Sequence, residues 1–130
     1  IVLPKLTNLQ EQGFVVMHQD VLGEFMLKTY LETITDDKSA INAAKGWSGD
    51  LFGLIETPDG GCLFISLSSW DNKPEAIEFY STLEKYQESQ SDYDNMFLET
   101  KGNKVLWAIA SDSVTDKPLS PYFQEFASQN

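Results

Sequence analysis

Apolar and polar positions alternate in short blocks along the chain, and the blocks change period. Residues 1–12 form no periodic pattern and read as an irregular lead-in. Phe14 to His18 is a short β-type run. Asp20 is placed as the N-cap of a helix from about Val21 to Ile34, apolar nearly all round. Its polar residues Glu24, Lys28 and Glu32 fall four apart. They predict one narrow exposed strip on a buried helix, with Glu24 partly exposed and paired to Lys28. Thr35-Asp36-Asp37 caps a short second helix through Ala44, and Gly46 stands where a glycine ends helices. Strands follow at Leu51–Thr57 and Cys62–Trp70, around the turn signal Pro58-Asp59-Gly60-Gly61. Asp71 or Asn72 caps a third helix with Pro74 in its first turn and an apolar stripe through Ala76, Phe79, Tyr80, Leu83 and Tyr86. After a polar connection, Gln87 to Asp94, come strands Asn95–Thr100 and Val105–Ala110. A loop to Pro118 and a last short helix from Ser120-Pro121, presenting Phe123 and Phe126, complete the chain.

The order β-α-α-β-β-α-β-β-α predicts an α+β domain over residues 1–130: an antiparallel sheet of four to five strands, in two hairpins, packed with three to four helices. With Asp59-Gly60 as a two-residue turn, Leu54 faces Ile65, and Phe52, Leu63 and Leu67 share its buried face. Gly53, Ser66 and Ser68 then lie on the outer one. That register gathers Trp47, Asp50, Ser68, Trp70 and Asp71 at one end of the hairpin. These five are the candidate binding residues. Trp47 is expected to plug the core under the flanking glycines, and Trp70 to be the exposed indole.

Charge narrows the function. Nine lysines, no arginine and twenty acids give a net charge of −11, which argues against nucleic-acid binding and against attraction to anionic lipid. The apolar runs, about five residues long, fall far short of the roughly 20 needed to span a bilayer, so no membrane insertion is expected. A lone cysteine, Cys62, excludes an intrachain disulfide and CxxC chemistry, and a lone histidine, His18, excludes two-histidine metal sites. No serine–histidine or cysteine–histidine signature is present, and His18 reads as structural or solvated. Ser91-Asp92-Tyr93-Asp94-Asn95 holds a DxD element but lacks the glycine and the distant glutamate of a calcium loop. No catalytic residue, metal ligand or cofactor is assigned. The chain starts at Ile1 rather than methionine, which reads as a piece left by leader removal or excision. An acidic, arginine-free surface, which stays soluble in salt, leans towards an extracytoplasmic or marine setting.

Leu22-Gly23-Glu24, Ala43-Ala44-Lys45-Gly46-Trp47-Ser48-Gly49-Asp50, Trp70-Asp71 and Ala76-Ile77-Glu78-Phe79 together resemble an LGE … AAxGWxGD … WD … AxEF pattern. That pattern belongs to uncharacterised bacterial and archaeal domains, often in exported or lipoprotein-like chains. The resemblance spans roughly residues 18–110. One departure is Leu51, where arginine commonly follows the aspartate. The resemblance implies an intact α+β domain outside the cytoplasm and no established activity. The leading expectation is a non-catalytic binding or protein-interaction domain, its partner a protein or a small molecule. The alternatives are a small carboxylate- or serine-based hydrolase or metal-dependent enzyme, in which Asp50, Ser69, Asp71 or Glu24 would converge, and an acidic inhibitor docking through residues 75–99.

Overall fold

The structure, a computed structural model, describes residues 3, 6–89, 96–111 and 116–128. In chain order the elements are α1 (Leu6–Gln10), β1 (Val15–Asp20), α2 (Gly23–Glu32), α3 (Asp37–Ala44), β2 (Trp47–Glu56), β3 (Cys62–Trp70), α4 (Lys73–Ser89), β4 (Met96–Lys101), β5 (Lys104–Ala110) and α5 (Asp116–Ser128). The five strands form one antiparallel sheet in the order β1-β2-β3-β5-β4. The α+β class, the two hairpins and the helix joining them are as the sequence predicts. The expected connection from Gln87 begins as the last turn of α4, and its remainder, with the DxD element, lies outside the described residues.

Helices cover both faces of the sheet. On one, α1 and α5 bring Leu9, Leu119, Tyr122, Phe123 and Phe126 against Ile55, Leu63, Ile65, Leu67 and Leu106. On the other, α2, α3 and α4 pack Leu27, Leu31, Ala40, Ala43, Phe79 and Leu83 against Trp70, Val105 and Trp107. The lead-in is therefore not wholly irregular. Leu6 and Leu9, three apart, lie on one side of the turn α1, and Leu9 is buried. The last helix likewise begins at Asp116, before the expected Ser120, with Pro121 inside it.

The β2–β3 register differs from expectation by one residue. Leu54 pairs with Phe64 and Gly53 with Ile65. The cause is the turn, which has three loop residues, not two. Gly60 N–H donates to Thr57 O at 3.0 Å, Thr57 N–H to Gly61 O at 3.0 Å, and Gly61 N–H to Thr57 Oγ1 at 2.7 Å. Pro58 and Asp59 occupy the turn, and Gly60, at φ 87°, takes the left-handed position that closes a three-residue hairpin. Leu63, Ile65 and Leu67 consequently face α5, while Phe52, Leu54 and Phe64 face the opposite side. Ser66 and Ser68 are not on an outer face, because that side carries helices too. Both are buried.

One cap, one ion pair and the burial of one helix also differ from the sequence reading. Asp20 is the last residue of β1, opposite Phe52, and caps only its neighbour, accepting from Val21 N–H. Glu24 is exposed as expected, but Lys28 pairs forward with Glu32 at 2.8 Å. Helix α2 is not largely buried. Leu27 and Leu31 are enclosed, whereas Phe25 is 70% and Met26 51% exposed, because one side of the helix packs on α3 and the sheet and the other does not. Asp36 and Asn72 cap α3 and α4 by accepting from Ser39 N–H and Glu75 N–H.

Candidate functional site

Of the string Gly46-Trp47-Ser48-Gly49-Asp50, all but Gly46 belongs to β2 rather than to a connection. Trp47 pairs with Trp70 and Gly49 with Ser69, so two steps on β2 match one on β3, and Ser48 is the bulged residue. The bulge changes the alternation. Trp47 and Asp50, three apart, now project to the same helix-covered side. Trp47 Nε1 donates to Asp50 Oδ1 at 3.1 Å. The same carboxylate accepts Gly23 N–H at Oδ1 and Leu22 N–H at Oδ2, both at 2.9 Å.

Asp50 thus does from a distant strand what a helix N-cap normally does locally. The first amides of a helix lack intrahelical partners, and a carboxylate there also meets the positive end of the helix dipole. Leu22, the N-cap residue of α2, offers no side-chain cap of its own. The carboxylate is buried and holds three donors, which offsets the cost of removing it from water. Leu22-Gly23 and Trp47-Ser48-Gly49-Asp50, distant in sequence, are thereby one bonded unit.

Trp70 completes this end of the hairpin from inside. It is fully buried, stacks on Phe79 with ring centroids 4.7 Å apart, and donates from Nε1 to Ser68 Oγ at 2.9 Å. Its backbone exchanges hydrogen bonds with Asn103, whose Nδ2 donates to Trp70 O. Asp71 N–H donates to Gly46 O at 2.7 Å. Gly46, at φ 90°, has no room for a side chain, since a Cβ there would lie 2.7 Å from Glu75 Cγ. The expected roles of the two tryptophans are exchanged. Trp70 is the plug, and Trp47 is half-buried at the rim.

Five expected contact residues therefore meet at one end of the sheet, but Asp50, Ser68 and Trp70 are internal. Asp71 is exposed and Trp47 partly so. Glu24 is exposed and shares no hydrogen bond with Asp50, and Ser69 Oγ accepts from Ser48 Oγ at 3.4 Å. Among the described residues, no group of three or more histidine, cysteine, aspartate or glutamate side chains has the placement of a metal site. A shallow cavity of about 190 Å³ lies elsewhere, where Ile34, Thr35 and Ser39 meet Thr82, Lys85 and Tyr86.

A second region emerges only from the corrected register. Where the α2–α4 layer does not reach, an aromatic row runs outward from the core. Trp107 contacts Phe64 at 5.0 Å, Phe64 stacks on Phe52 at 5.6 Å, and Phe52 meets His18 at 6.1 Å. Leu54 sits between His18 and Phe64 in the ladder and is 37% exposed. Val15 and Met17 on β1 are more than half exposed, and His18 Nε2 lies 3.6 Å from Asp20 Oδ2. Sequence reading missed this flank because it assigned Phe52 and Leu54 to the buried face. Reading Pro58-Asp59-Gly60 as a three-residue loop would have placed Leu54 opposite Phe64 and revealed it.

These features describe a two-sided α+β domain whose hairpin end is locked by an internal aspartate and whose edge strand β1 has, among the described residues, no strand on its outer side. The chain belongs to a domain family of unknown function (DUF8575), whose family model matches residues 12–118. No match was found among curated proteins or among solved structures.

Proposed function

We propose that this chain is a non-catalytic binding domain that works outside the cytoplasm and engages a protein partner through the flank formed by β1 and β2. The observation that carries the reading is the aromatic row from Trp107 through Phe64 and Phe52 to His18, continued at the surface by Leu54 and Val15. A cluster of exposed apolar groups rimmed by polar ones is the usual mark of an interaction surface. The enzyme reading required a pocket in which two or more of Asp50, Ser69, Asp71 and Glu24 converge. Asp50 instead holds its three donors inside the fold, and Glu24 and Asp71 stand in solvent. The arginine-free, strongly acidic composition supports the extracytoplasmic setting.

A photo-crosslinking side chain at Leu54, in cells that make the whole natural protein, should trap a discrete product. The same group at Ile77 on α4, exposed to a similar degree, should not. Equal trapping at both positions, or none at Leu54, would remove the reading. Fractionation of the same cells tests the compartment: recovery with the cytoplasm would refute that part.

A further inference from the structure

We infer that β1 takes on, as a sixth strand, an extended partner segment in which basic and apolar side chains alternate. This rests on the flank's being the binding surface and names its occupant. Three observations carry it.

The first is topology. Among the described residues β1 pairs only with β2, so the outer side of Val15–Asp20 is, among them, a sheet edge with no strand beside it, the kind of edge to which a strand can be added. The second is apolar continuity. An added strand would lie beside Val15 and His18, which the ladder joins to Leu54 and Phe64, so its apolar side chains would extend the aromatic row. Their alternation is set by the two-residue period of a strand.

The third is charge. No lysine occurs in residues 6–27 or 46–72, which hold β1, β2, β3 and the start of α2. The same stretches hold seven carboxylates. Asp50 is internal, and the other six are exposed: Glu11, Asp20, Glu24, Glu56, Asp59 and Asp71. Asp20 ends β1, and Glu56 lies opposite Val15 at its other end. A strand added here meets negative charge at both ends, which favours a cationic segment and raises its rate of encounter. The same field opposes a second copy of this chain, which carries −11 itself.

The test uses three capped eight-residue peptides. One alternates lysine with valine, one alternates glutamate with valine, and one is the lysine peptide with alternate backbone nitrogens methylated. Binding to the intact chain is followed by amide chemical shifts. The lysine peptide should perturb Val15–Asp20 and Leu54, with affinity falling as salt rises. The glutamate and methylated peptides should each bind at least about tenfold weaker, the latter because methylation removes strand donors and leaves the side chains in place. Equal binding of the methylated peptide at the same amides would overturn strand addition and leave the flank as a docking face. No binding of the lysine peptide would overturn the basic occupant, and the crosslink at Leu54 would still decide the face. Sedimentation showing a dimer that is lost on Val15→Lys substitution would assign the edge to a second copy and refute the proposal.

Discussion

The locked end of the β2–β3 hairpin and the open flank at β1 are built from the same residue types, aromatics beside acids. At the locked end the Asp50 carboxylate and both indole N–H groups have partners inside the fold: Asp50 accepts from Leu22, Gly23 and Trp47, and Trp70 donates to Ser68. At the flank, His18 and Asp20 face water and the aromatics run to the surface. An unusual motif with tryptophan and aspartate therefore marks construction here. The unremarked positions Phe52, Leu54 and Phe64 make the surface.

This contrast can be broken by substitution. Trp70→Ala should have the largest effect, about 3–5 kcal/mol of lost stability, because it empties a buried site beside Phe79 and removes the donor to Ser68. Thermal or denaturant unfolding measures it, and a loss under 1 kcal/mol would mean that the end is not locked by packing. Asp50→Ala should cost about 1–3 kcal/mol. It leaves three N–H groups without their acceptor, all on half-buried residues that water can reach. Faster hydrogen exchange at Leu22 and Gly23 should accompany it.

Gly46→Ala should cost about 1–2 kcal/mol, since φ 90° is a left-handed conformation that L residues adopt at a penalty. The double variant with Glu75→Ala should recover only the part due to the close contact. A pH effect should appear at α3, which leads into the locked end. The Ser39 backbone N–H, with the Ser39 hydroxyl, holds the Asp36 carboxyl below its ordinary value of 3.8. Because the folded value is the lower one, the cap is fully in place above about 3.8. It is lost as pH falls through that lower value. Asp36→Ala should remove this component of acid sensitivity, read as a shallower stability profile in that range. The smallest effect is expected at the flank. Leu54→Lys should change stability by no more than about 0.5 kcal/mol while abolishing trapping by a photo-crosslinking side chain moved to Phe52 beside it. A large loss of stability there would place Leu54 in the core and end the distinction between the two regions.

The sequence by itself determined the types of the main elements other than α1, the two hairpins, the Asp36 and Asn72 caps and the α+β class. These depend on near-neighbour rules: a period of two or 3.6, a capping side chain three residues from its amide, a glycine in a turn. Even the register was encoded locally, in Pro58-Asp59-Gly60, though a two-residue turn there gives an equally plausible alternation. Tertiary structure decided which face of each strand was buried, because helices on both sides of the sheet remove the distinction between an apolar inside and a polar outside that alternation relies on. It also decided that Asp50 belongs to α2, 27 residues away along the chain. A bond at that separation exists only once the sheet and the helix layer have brought a strand bulge beside a helix start, and no local pattern of residues carries it.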